Sequence, residues 1–152
     1  MIEREQPTVY PAVPFGLRLL TEAPGEADLS SLRLCLSAAT GLPGSTFDAF
    51  AERFHAPVRQ LYGCTEAGAV TVNLDDDPYG HPGSVGRPIA GMEVRVVDAE
   101  GADLAPDRTG EILIRGAGMT DGYAGGIDLN RSPAAGSSPA TAAVSTARVA
   151  CS

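Results

Sequence analysis

The sequence predicts an α/β protein: a parallel-sheet βαβ portion, then a smaller antiparallel β subdomain, then a disordered C-terminal tail. Three observations carry this. Between residues 11 and 62 the apolar pattern runs helix, strand, loop, helix, strand, an order that argues for parallel pairing. Past Gly68, short runs alternate or stay apolar over strand lengths, with turn residues between them, as antiparallel strands do. After Leu129 there is no Leu, Ile or Phe, and after Asp128 no carboxylate side chain, so little apolar surface remains to offset the entropy of ordering.

The elements follow in order. In "PAVPFGLRLLTEA" residues Val13, Leu17 and Leu20 share one helical face, and Pro24 with Gly25 ends the helix. "LRLCLSA" reads as a strand buried on both sides, with Leu32, Leu34, Cys35 and Leu36 apolar. "SAATGLPG" is a loop, after which Ser45 is the expected N-cap and Asp48 its back-bonding partner. Phe47, Phe50, Ala51 and Phe54 recur at helical spacing and form a stripe for packing on a sheet. "APVRQLY" is a short strand that leads into "LYGCTEAG". "AVTVN", "EVRVVD" and "GEILIRG" are the strands assigned to the smaller β subdomain. Asp75 to Asp77 lack the spacing of a calcium loop and read as a solvated turn.

Composition narrows the function classes. With 152 residues, 43% apolar and 20% charged, the chain can build one domain with a real core. A formal charge of −8 argues against nucleic acid held through its phosphates. A nucleotide remains compatible, because backbone amides and a metal ion can hold phosphate without a basic surface. No apolar run reaches the length of a membrane span, and "MIEREQPTVY" lacks the order of a signal peptide. Cys35, Cys64 and Cys151 form no CxxC pair and read as reduced thiols, which points to a cytoplasmic setting. His55 and His81 stand alone, without metal-ligand spacing.

"SAATGLPG" and "LYGCTEAG" fall at the carboxyl ends of neighbouring predicted strands, the edge where open parallel sheets bind ligands. Ser37, Ala38, Ala39 and Gly41 are small enough for a flat group to approach the backbone. Tyr62 offers a ring to stack on it, Thr65 a donor for a phosphate oxygen, and Glu66 an oxygen ligand for Mg²⁺. A purine nucleotide with a metal uses every unusual residue of the stretch. The plainer alternative has Tyr62 capping the core, Gly63 making a turn, and Thr65 with Glu66 opening a helix. Spacing alone leaves both open.

Taken together, the blocks resemble the adenylate-forming (AMP-dependent synthetase/ligase) superfamily, most closely its acyl-CoA synthetases. "LYGCTEAG" is similar to that family's Tyr-Gly-x-Thr-Glu motif, and "LRLCLSAATGLP" to the loop preceding it by a helix and a strand. "GSVGRPIAGMEVRVVD" and "TGEILIRGAGMTDGY" are similar to the linking segment and the later Gly-Glu motif, so the likeness runs from about Thr8 to Tyr123. The resemblance implies an adenine pocket lined by Ala39, Thr40 and Gly41, with Tyr62 stacked on the base. It implies that Gln60, Leu61, Tyr62, Gly63, Cys64 and Thr65 border the nucleotide, Thr65 near the α-phosphate, and that Glu66 ligates Mg²⁺. Ser37, Ala38, Ala67 and Gly68 would wall the entry for the acyl group. The implied reaction joins a small-molecule carboxylic acid and ATP into an acyl-adenylate, then transfers the acyl group to coenzyme A.

The departures shape the expectation. The phosphate loop with its lysine, the Thr-Gly-Asp motif expected after Tyr123, and the small C-terminal domain with its catalytic lysine are not in the sequence. Residues 1–125 therefore read as part of an AMP-binding domain without catalytic residues of its own, expected to be inactive alone. Residues 126–152 read as a disordered tail produced by a frameshift after Tyr123, the alternative being a natural low-complexity extension. Codons exist for Ala134–Thr141 that, with two bases dropped, spell Gly-Trp-Phe-x-Thr-Gly-Asp, the missing motif. Within the same class the alternative is an amino-acid adenylation domain, whose motif more often has Pro where Cys64 stands. From another class, the alternative is a non-catalytic remnant.

Overall fold

Leu17, Cys35, Phe50 and Val58 are all but inaccessible to solvent, and the first half of the chain folds around them. The computed structural model describes residues 2–116, Met119 and residues 142–144. The chain forms two units, one of Met1–Tyr62 with Thr71–Arg87, the other of Gly63–Val70 with the chain from Pro88 onward. The α/β class holds.

In the first unit a short helix α1 (Ile2–Glu5) precedes strand β1 (Val9–Ala12), helix α2 (Pro14–Glu22), strand β2 (Leu34–Ser37), helix α3 (Gly44–Phe54) and strand β3 (Val58–Cys64), whose last two residues are counted with the second unit. β2 pairs in parallel with β1 (Tyr10 opposite Cys35) and with β3 (Cys35 opposite Val58, Ser37 opposite Gln60). This is the parallel portion that the helix–strand order predicts. β1 is an addition to it, since "VYPA" lies partly inside the residues read as helix; Pro11 lacks a donor and is tolerated because β1 is an edge strand. β2 buries Cys35 and Ser37 fully and leaves Leu34 and Leu36 half-buried, so only one face is fully enclosed.

The aromatic stripe of α3 behaves as its period predicts: Phe47, Phe50 and Phe54 are buried, and the Phe50 and Phe54 rings lie 4.8 Å apart. Ser45 is not the N-cap. α3 begins at Gly44 behind Pro43, with no side-chain cap, because the fixed φ of Pro43 already sets the entry into the helix. At the other end His55 adopts the left-handed conformation (φ 51°), and its N–H caps the carbonyl of Ala51.

β3 runs past Tyr62 to Cys64, and strand β4 (Gly68–Val72) follows after three residues. Three residues are too few for a crossover, so β4 returns antiparallel, and the five-stranded sheet has the order β1-β2-β3-β4-β5, with β5 at Arg87–Pro88. "AVTVN" thus belongs to this sheet and not to the smaller β subdomain, since a tight hairpin pairs a strand with the one before it. In the second unit, strands β6 (Met92–Val97), β7 (Glu111–Gly116) and β8 (Ala142–Val144) form an antiparallel sheet. Ile112 and Ile114 are buried on one face, while Glu93 and Arg115 form an ion pair on the other. β8 is a strand of three residues where the sequence predicts disorder; the rest of the predicted tail lies outside the described residues.

Candidate functional site

Eight of the predicted site residues lie within the first unit: Ser37 ends β2, Ala38, Ala39, Thr40 and Gly41 form the loop after it, and Gln60, Leu61 and Tyr62 lie along β3, with Gln60 opposite Ser37. The loop after β2 is held at both ends. Ala38 donates its N–H to the carbonyl of Ala12 (3.1 Å), and Leu42 is buried in the core. Between these anchors Ala39, Thr40 and Gly41 are exposed. Ala39 has φ 77°, a left-handed conformation that costs a non-glycine residue about 1–3 kcal/mol and persists only where the surroundings impose it. A Cβ added at Gly41 would meet nothing within 4 Å, so the space above the loop is open.

Ser37 is 1% exposed, and its hydroxyl has no hydrogen-bond partner among the described residues. A buried hydroxyl without a partner costs about 1–3 kcal/mol, and here it stands beside the proposed loop. Gln60 is also buried, and both ends of its amide are committed: Oε1 accepts from the Leu42 N–H (3.1 Å) and Nε2 donates to the Pro82 carbonyl (2.6 Å). Tyr62 is half-buried, with its hydroxyl oxygen enclosed.

The other predicted residues, Gly63 to Gly68, belong to the second unit and form the end of β3, a turn and the start of β4. The turn is Cys64–Thr65–Glu66–Ala67, closed by the Ala67 N–H on the Cys64 carbonyl (3.3 Å), and Gly68 follows at φ 66°. A three-residue hairpin loop with a left-handed glycine behind it has this form. Thr65 and Glu66 therefore sit at a hairpin tip and do not open a helix. Gly63 is required by the returning strand: a Cβ there would lie 2.2 Å from the Gly68 carbonyl oxygen. The crowding comes from β4, the strand that returns beside Gly63, and no local sequence pattern records it.

Thr65 is exposed and Glu66 half-buried. The Cys64 thiol is pushed up chiefly by burial, and next by donating its hydrogen bond to the Glu66 carboxylate. Sequence reasoning missed this pairing; the two-residue spacing across a turn was the available signal. The exposed Thr65 hydroxyl suits a phosphate oxygen. Among the described residues no three His, Cys, Asp or Glu side chains cluster. One carboxylate, completed by phosphate and water oxygens, is the way Mg²⁺ is commonly held beside a nucleotide, and Glu66 fits that part.

Comparison with known proteins decides the family. The family described as AMP-binding enzyme matches residues 1–124. The chain belongs to it. Indoleacetate–CoA ligase of Aromatoleum aromaticum is 34% identical over 125 residues, covering 80% of this chain and 24% of that protein. 4-Coumarate–CoA ligase of Pinus taeda is 35% identical over 131 residues, covering 81% of this chain and 24% of that enzyme. Among solved structures, the anthranilate CoA ligase AuaEII in complex with anthranoyl-AMP superposes with a TM-score of 0.73 at 33% identity, over 80% of this chain and 24% of that one. This member of the AMP-binding enzyme family thus spans about a quarter of the length of the curated relatives it matches. No helix among its described residues is long and apolar enough to cross a membrane.

Proposed function

We propose that this chain supplies the adenine-binding loop and the Tyr-Gly-x-Thr-Glu hairpin of an ATP-dependent ligase that activates a carboxylic acid and passes it to coenzyme A. The observation that carries the reading is the loop of small exposed residues, Ala39–Gly41, anchored at both ends on the carboxyl side of a parallel strand pair that also bears Tyr62. Ala39, Thr40 and Gly41 receive the base, and the Tyr62 ring stacks on it. Leu61, Gly63 and Cys64 contribute backbone to the border of the nucleotide. Thr65 donates to the α-phosphate, and Glu66 holds Mg²⁺, which neutralises phosphate charge when bound. Ser37, Ala38, Ala67 and Gly68 border the acyl group.

In the reaction proposed for the whole enzyme, a carboxylate oxygen attacks the α-phosphorus of ATP, the bond to the bridging oxygen breaks, and pyrophosphate leaves. The thiolate of coenzyme A then attacks the acyl carbon and AMP leaves. The named side chains bind, orient and neutralise charge, so their contribution to rate lies in positioning and electrostatics. No proton-transfer residue is assigned in this chain, and we expect it to bind nucleotide without turning it over. The names of the relatives, which act on indoleacetate, 4-coumarate and anthranilate, support an aryl or acyl acid as the substrate class.

Calorimetric titration of the full chain with AMP tests the reading. A base–aromatic stack is worth roughly 1–3 kcal/mol, so Tyr62→Ala is expected to weaken binding about five- to 150-fold, with the thermal melt little changed. Equal affinity in wild type and Tyr62→Ala would remove the ring from the site. Pyrophosphate exchange into ATP by the purified chain would overturn its assignment as a non-catalytic part.

A further inference from the structure

Gln60 was expected at the nucleotide border, yet its side chain points into the first unit and is 4% exposed. The Leu42 backbone offers it only a donor and the Pro82 backbone only an acceptor, so one orientation of the amide satisfies both. Leu42 anchors the loop that carries Ala39–Gly41. Pro82 lies in a separate segment, residues 73–86, which is itself tied down. The Asn73 N–H donates to the Gln60 carbonyl (2.9 Å), and Asn73 Nδ2 donates to the carbonyls of His81 and Ser84 (3.2 Å each). Asn73 is 3% exposed, so these bonds are made away from water.

We propose that Gln60 is a positioning residue: its carboxamide is a strut between the Ala39–Gly41 loop and the 73–86 segment, and through it that remote segment sets how well the loop receives a nucleotide. The inference rests on the nucleotide reading above and changes the part Gln60 plays in it, from ligand to support. The chemistry is demanding. Glutamate accepts from Leu42 but, ionised, cannot donate to Pro82. Methionine fills the volume and satisfies neither. Asparagine is one methylene too short to span both.

The test uses the full ¹⁵N-labelled chain, with amide exchange at Leu42 as one readout and AMP affinity by calorimetry as the other. Gln60→Met is expected to speed Leu42 exchange about ten-fold or more and to weaken AMP about ten-fold, the loss typical of one buried hydrogen bond left unmade. Gln60→Glu, of nearly the same shape, keeps Leu42 protected and falls between wild type and Gln60→Met in affinity. It also supplies the second arm if the methionine variant melts without cooperativity. Asn73→Ala, which leaves Gln60 and the loop sequence intact, is expected to weaken AMP several-fold. Unchanged Leu42 exchange in Gln60→Met, or an affinity unmoved by Asn73→Ala, overturns the strut. If the wild-type chain binds no AMP, the nucleotide reading fails, and faster Leu42 exchange in Gln60→Met then upholds the strut as a support of the loop alone.

Discussion

At the scale of single residues, Cys35 shows how burial turns a reactive group into a packing group. Burial pushes its thiol from the ordinary 9.0 up to about 12, and burial also raises the Tyr10 phenol, which lies opposite it in the β1–β2 ladder. A folded-state value above the unfolded one means that stability is complete below pH 9 and is lost as pH rises toward 12. Each pH unit in that window costs at most about 1.4 kcal/mol through this group. Urea unfolding of wild type between pH 9 and 10.5 is therefore expected to show falling stability, and Cys35→Ala, though less stable at pH 7, a flatter profile. Parallel profiles would assign the alkaline loss to other groups. The phenylalanine stripe was legible in the sequence because its period comes from the helix alone. The Gln60 amide was not legible as a strut, because its partners lie 18 and 22 residues away and no local pattern records them.

At the scale of elements, the structure follows the sequence pattern where one period dominates and departs from it where tertiary pairing overrides that pattern. α3, β6 and β7 follow their patterns, and β2 forms where its apolar run lies but with only one face fully enclosed. β1 was hidden, since four residues containing Pro11 lack a strand's signature until β2 supplies the partner. The motif hairpin was hidden for the same reason, as Thr65 and Glu66 have turn and helix-start chemistry alike. Its two glycines give separate predictions. Gly68→Ala meets no clash but must hold φ 66°, and is expected to cost roughly 1 kcal/mol. Gly63→Ala forces a Cβ to within 2.2 Å of a backbone oxygen and must displace the returning strand. Its loss in denaturant unfolding is expected to exceed that of Gly68→Ala clearly; the reverse order would mean that β4 yields easily.

At the scale of the whole molecule, the first unit leaves apolar surface uncovered. Phe15 is 59% exposed, with Leu19, Val13 and Val9 each near half, and β1 is an edge strand beside them. Such a patch next to an unpaired edge favours association. The purified chain is expected to elute from a sizing column at an apparent mass that rises with concentration, and Phe15→Ser with Leu19→Lys to reduce that dependence. A concentration-independent monomer in the wild type would show the patch to be harmless. Another property of the molecule follows from Ala39, held left-handed between two anchors. Replacing it by glycine relieves that conformation and should raise the melting temperature, as about 1 kcal/mol moves a domain of this size by a few degrees. In the proposed nucleotide site the same change frees the loop when empty, so more freedom is lost on binding, and AMP affinity is expected to fall. Thermostability and ligand affinity would then move in opposite directions at one position, and a library screened for heat resistance alone would select glycine there while losing the nucleotide.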